Sequence, residues 1–73
     1  MGWKVELRAS ESKLFEVVKA VRKRFSPSSI WSIKREDDNY FIIMFMATSS
    51  LEETLRILGE EDLLYYLVSI EAM

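Results

Sequence analysis

Apolar residues recur along this chain with two different periods, and each change of period marks a new element. Trp3, Val5 and Leu7 alternate with Lys4, Glu6 and Arg8, the two-residue repeat of a strand with one wet face. The spacing then lengthens. Leu14, Val17, Val18, Val21 and Phe25 fall on one helical stripe, which Phe15 widens. Ile30 to Lys34 reads as a second, weaker strand. Tyr40 to Met46 gives the strongest strand signal. Leu51, Leu55 and Leu58 return to helical spacing at i, i+4 and i+7, and Leu63 to Ile70 reads as the last strand.

The boundaries carry their own signals. Ser10 is the expected cap of the first helix, with Glu11 in its first turn beside the positive end of the helix dipole. Lys19, Arg22, Lys23 and Arg24 crowd the other end, and Ser26-Pro27-Ser28-Ser29 stops the helix because Pro27 cannot continue it. Glu36-Asp37-Asp38-Asn39 is the turn between the second and third strands, with Asn39 best suited to a left-handed backbone. Ser50-Leu51-Glu52-Glu53 reads as a capping box, in which the serine and Glu53 satisfy each other's amides. Gly59 is placed to end the second helix in the left-handed conformation.

Strand, helix, strand, strand, helix, strand is the order of a four-stranded antiparallel sheet with two helices on one face. This α+β arrangement resembles the ferredoxin-like plait, which implies strand order 4-1-3-2. The far face of such a sheet should be wet. Here Tyr40, Ile42, Met44 and Met46 alternate with Phe41, Ile43 and Phe45, so both faces of the third strand are apolar. The fourth strand repeats the pattern, with Leu64, Tyr66 and Val68 interleaved among Leu63, Tyr65 and Leu67. Tyr40, Ile42, Met44, Leu64, Tyr66 and Val68 therefore form the expected interaction surface, because contiguous exposed apolar patches mark contacts.

Size and composition narrow the function more than they define it. Seventy-three residues make one domain, 1–73, with about 4,700 Å² of accessible surface expected once folded. With no cysteine, no disulfide staple is available, so stability rests on packing; the 49% hydrophobic content and nine aromatic rings supply it. The net charge of −2 hides a division: residues 1–35 sum to +6 and residues 36–73 to −8. The first helix should be basic and the second acidic.

No histidine and no cysteine means that the usual general base, thiol nucleophile and soft metal ligands are missing. Glu52/Glu53 and Glu60/Glu61/Asp62 read as cap and loop residues rather than an acid–base pair. Glu36-Asp37-Asp38 lacks the spacing and glycine of a calcium loop. Gly2 and Gly59 are the only glycines, so no phosphate-cradling loop exists. No catalytic, cofactor or metal residue is assigned, no small-molecule substrate is expected, and no stretch is long and apolar enough to cross a membrane. Nucleic acid is not the expected partner either: the chain is acidic, and the third strand lacks the basic-glycine-aromatic signature of RNA-binding plaits. The aromatics that invite the comparison are Tyr40, Phe41 and Phe45, with Lys4 and Arg8 nearby.

In length and element spacing, residues 3–73 resemble the activation domains of procarboxypeptidases, with Glu6, Ser10, Leu58 and Tyr65 at shared positions. In that family the domain covers a metalloprotease active site. The family's acidic residue beside the second-strand tryptophan has no counterpart next to Trp31, so the resemblance carries layout and not inhibition. The leading expectation is a non-enzymatic protein, a designed or redesigned stable scaffold on a plait backbone. The alternative is a natural protein-interaction module that self-associates as a homodimer through its apolar sheet surface. The sequence assigns no location; the chain would be cytoplasmic if natural or when expressed recombinantly.

Overall fold

A computed structural model of the chain describes residues 2–26 and 29–73. Its elements follow the expected order: β1 (Trp3–Ser10), α1 (Glu11–Arg24), β2 (Ile30–Arg35), β3 (Tyr40–Ala47), α2 (Leu51–Glu60) and β4 (Leu67–Ala72). The sheet is antiparallel, in the order β2-β3-β1-β4, which is 4-1-3-2 read from the other edge. The topology is that of the ferredoxin-like plait. The expected stop at Pro27 and Ser28 lies outside the described residues.

Register determines which side chains share a face, since directly opposed residues in an antiparallel pair point the same way. Trp3, Val5, Leu7 and Ala9 stand opposite Ala47, Phe45, Ile43 and Phe41. Val5, Leu7, Ile43 and Phe45 are fully buried, and they share one core with Val17 and Val21 of α1 and Leu58 of α2. Both helices thus cover the same side of the sheet. Phe25, just past α1, tilts against Phe45 at 4.7 Å between ring centres and closes one end of the core. The accessible surface is 4,703 Å², as the length predicts for a folded chain.

Several local expectations are corrected. Phe15 does not widen the buried stripe; it is 76% exposed. α2 packs through Thr54, Ile57 and Leu58, while Leu51 and Leu55 are exposed. Leu51 and Leu55 do lie on one helical stripe, but the core meets the neighbouring one. Asn39 does not turn left-handed: the Asp37 carboxylate accepts the Asn39 and Tyr40 amides at 2.8 and 3.0 Å, which holds the turn without it. Nor does Gly59, which stays helical. The left-handed residue is Asp62, at φ 58°.

Asp62 completes a helix-ending motif three residues later than expected. Its amide donates to the Gly59 carbonyl at 3.2 Å, and the Leu63 amide donates to the Leu58 carbonyl at 2.7 Å. This is the Schellman pair of bonds, and the apolar contact that goes with it is Leu63 against Leu58 in the core. Leu63 is therefore an anchor below the helix rather than a strand residue. Leu64–Tyr66 form a 3-10 turn, and β4 begins only at Leu67.

The caps are half of what was expected. Ser50 Oγ accepts the Glu53 amide at 3.1 Å, but the Glu53 carboxylate binds Arg56. Ser10 occupies the cap position of α1 without a side-chain cap bond; its hydroxyl lies 3.1 Å from that of Ser12. The basic and acidic helices do meet. Arg24 at the end of α1 reaches Glu61 at 2.7 Å and Glu60 at 2.8 Å, and Arg56 reaches Glu60 at 2.6 Å. The basic end of α1 is thereby paired with the acidic end of α2, while Lys4–Glu71 and Arg8–Glu36 join the two halves of the chain on the sheet.

Candidate functional site

The far face of the sheet is less oily than the sequence implied. Because β4 starts at Leu67, its outward positions are Ser69 and Glu71, opposite Glu6 and Lys4 of β1. Tyr40, Ile42, Met44 and Met46 of β3 form a single apolar column. It is flanked by Arg8, Glu6 and Lys4 on one side and by Lys34 and Ser32 on the other. Tyr40, Ile42 and Met44 are half-buried beneath these neighbours. Long charged side chains cover apolar surface with their methylene stems.

The six residues expected to make one surface divide into three places. Ile42 and Met44 lie in the middle of the open face. Leu64 is in the 3-10 turn and packs beside Gly59 at the end of α2, on the helical side. Tyr40, Tyr66 and Val68 converge at the end of the sheet where β1 runs into α1 and β4 is entered. There they line a groove of about 450 Å³ together with Arg8, Lys13 and Tyr65. Ser10 and Leu67 complete its wall.

Five segments position this groove, the last being β4 with Leu67 and Val68. β1 delivers Arg8 and Ser10, α1 delivers Lys13, β3 begins with Tyr40, and the 3-10 turn presents Tyr65 and Tyr66. The turn exists because Asp62 and Leu63 end α2 abruptly, and the Tyr66 amide then donates back to the Leu63 carbonyl at 3.0 Å. Val68 is the extra residue of a bulge: Glu6 pairs with Ser69 but Leu7 pairs with Leu67. A bulge twists the edge and leaves its extra residue out of the ladder, which is why Val68 is half-exposed here.

The side chains hold one another in place. Arg8 stacks over the Tyr40 ring at 3.8 Å. Its Nε donates to Glu36 at 2.5 Å, and Asp37 lies 4.0 Å from the same guanidinium. That hydrogen bond from Arg8 to Glu36 raises the arginine pKa further, against the opposing effect of burial, so the group stays charged. Lys13 pairs with Glu16 at 3.6 Å. Tyr65 stands edge-on to Tyr66, at 89° and 5.3 Å between centres. Edge-to-face packing is a favoured aromatic arrangement, yet Tyr65 remains 90% exposed. No tyrosine hydroxyl has a hydrogen-bond partner among the described residues.

Arg8, Ser10, Lys13 and Tyr65 were not part of the expected surface. The signal for Tyr65 was the Tyr65-Tyr66 pair directly after the acidic loop, which reads as strand alternation until the helix is seen to end at Asp62. Phe41 and Phe45, named with Tyr40 as base-stacking candidates, point into the helical layer, and Phe45 is fully buried. No group of three or more acidic metal ligands occurs among the described residues. No described helix is long and apolar enough to cross a membrane. Comparison with family models, with curated proteins and with solved structures finds no match to this chain.

Proposed function

We propose that the plait is a non-enzymatic recognition module and that the tyrosine groove is its binding site. The observation that carries this reading is Tyr65: a large aromatic side chain held by Tyr66 yet left almost wholly in solvent. Burying such a ring on a partner releases its apolar hydration with few rotamers left to freeze. Tyrosine and arginine are the residue types enriched at interface hot spots, and Arg8 on Tyr40 adds a second such pair. The carboxylates nearby, Glu36 and Asp37, are held by Arg8, which argues for scaffolding over acid–base chemistry.

Three details favour an evolved module over a designed scaffold. A left-handed helix-ending position holds Asp62 where glycine is the unstrained choice. Thr54 is fully buried with its hydroxyl unpartnered among the described residues. Both edge strands pair with irregular register.

Selection of displayed random peptides on the wild-type protein tests the proposal. Enriched sequences should lose binding when Tyr65→Ala is introduced. Failure to enrich any sequence, or binding indifferent to that substitution, refutes it. Self-association is a second reading, carried by the opposite end of the sheet. There Trp31, Met46 and Met73, all at least 39% exposed, line an apolar depression of about 410 Å³. Sedimentation that reports monomer at every concentration removes that reading.

A further inference from the structure

We infer that the occupant of the tyrosine groove is a proline-rich segment in the polyproline II conformation, an inference that rests on the groove being a recognition site. Polyproline II segments dock on aromatic-lined grooves because their flat rings fit between aromatic ridges and their backbone is already extended. Here Tyr65 and Tyr66, perpendicular to each other, make one ridge pair, and Tyr40 under Arg8 makes another.

Hydrogen-bonding chemistry points the same way. A polyproline II backbone satisfies none of its own carbonyls, so its binding site must supply donors. The groove offers such donors: its three tyrosine hydroxyls have no partner among the described residues.

Charge separates this occupant from a nucleic-acid strand. Both cations of the groove are already matched, Arg8 by Glu36 and Asp37, and Lys13 by Glu16. A phosphate backbone would approach three carboxylates and gain no net field, a repulsion that an uncharged proline-rich chain does not meet. The bulge at Val68 separates it from an added β-strand. The β4 ladder is irregular beside the groove, and bulges blunt an edge against pairing.

The test is an NMR titration of the isotope-labelled full chain with a decapeptide of alternating prolines and leucines. A control peptide carries alanine at every proline, and a ten-nucleotide oligothymidine serves as a third probe. Saturable amide shifts confined to residues 8–13, 40 and 65–68 are expected with the proline peptide alone. Tyr65→Ala, which removes an exposed ring and leaves the core intact, should weaken binding about tenfold or more. Absence of saturable shifts at millimolar peptide, equal binding of the alanine control, or shifts from oligothymidine instead would each overturn the inference. If the proline peptide fails while peptides selected by display still require Tyr65, the recognition reading survives and only this ligand class falls.

Discussion

Replacing Asp62 with glycine should stabilise the protein. Asp62 sits at φ 58°, where a side chain crowds the following carbonyl. An L-residue in this region loses about 1–2 kcal/mol, and aspartate lies at the low end because its short polar side chain tolerates the conformation. Glycine removes that strain but gives the unfolded chain more freedom, which offsets about 0.4–1 kcal/mol. Removing a carboxylate from the negative end of α2, already bordered by Glu60 and Glu61, adds to the gain. The net expectation is about 0.5–1 kcal/mol of added stability. For a domain of this size that raises Tm by roughly 2–8 °C. Circular dichroism at 222 nm, followed through thermal and urea unfolding, measures it. Two companions separate the causes. Asp62→Asn keeps the left-handed tolerance and removes only charge, so it should stabilise slightly. Asp62→Ala keeps the strain without the tolerance, so it should destabilise. If glycine lowers Tm, or if glycine and alanine behave alike, the helix does not end through a left-handed residue at 62 and the argument fails.

Thr54→Val keeps the shape of a fully buried side chain and deletes a hydroxyl without a partner among the described residues. A gain of about 1 kcal/mol is expected in urea titration, since leaving a buried polar group unsatisfied costs about 1–3 kcal/mol. Phe45→Ala should lose about 3–5 kcal/mol. Against a total of roughly 4–11 kcal/mol for a chain this long, that is a large share of the stability, visible as a urea midpoint far below that of the wild type. Acid should weaken the helical layer: hydrogen bonds from Arg24 lower the pKa values of Glu60 and Glu61, with Arg56 adding to the first and Lys23 to the second. Their folded values lie below the unfolded ones, so this stabilisation is complete above the ordinary glutamate range and is lost as pH falls through the depressed values. Urea midpoints between pH 7 and pH 3 should show it, and Arg24→Gln should flatten that acid limb.

The fold was legible because burial imposes period. Val5 and Leu7 alternate with charges, Val17 and Val21 recur at helical spacing, and each lands in the core its period implied. Legibility stopped where several side chains could meet the same local need. Phe15 lies on the edge of a stripe whose limit is set by what α1 packs against. Leu51 and Leu55 have helical spacing, but α2 turns Thr54 and Ile57 inward. At Gly59 the local rule named a residue type, while the contact of Leu63 with Leu58 dictated where the helix ends.

The same displacement governed the candidate site. Sequence alone determined the order and type of the elements, the antiparallel plait, and the opposite charge of its two helices, because these follow from short-range periodicity and composition. It also named Tyr40, Tyr66 and Val68 as surface residues of interest. Only the tertiary structure decided that these three meet Arg8, Lys13 and Tyr65 in one groove while Ile42, Met44 and Leu64 lie elsewhere. The physical reason is that a groove is made by the ends of elements distant along the chain. Its position depends on the residue at which α2 stops and β4 begins, and the seating of Leu63 in the core beside Leu58 selects that residue.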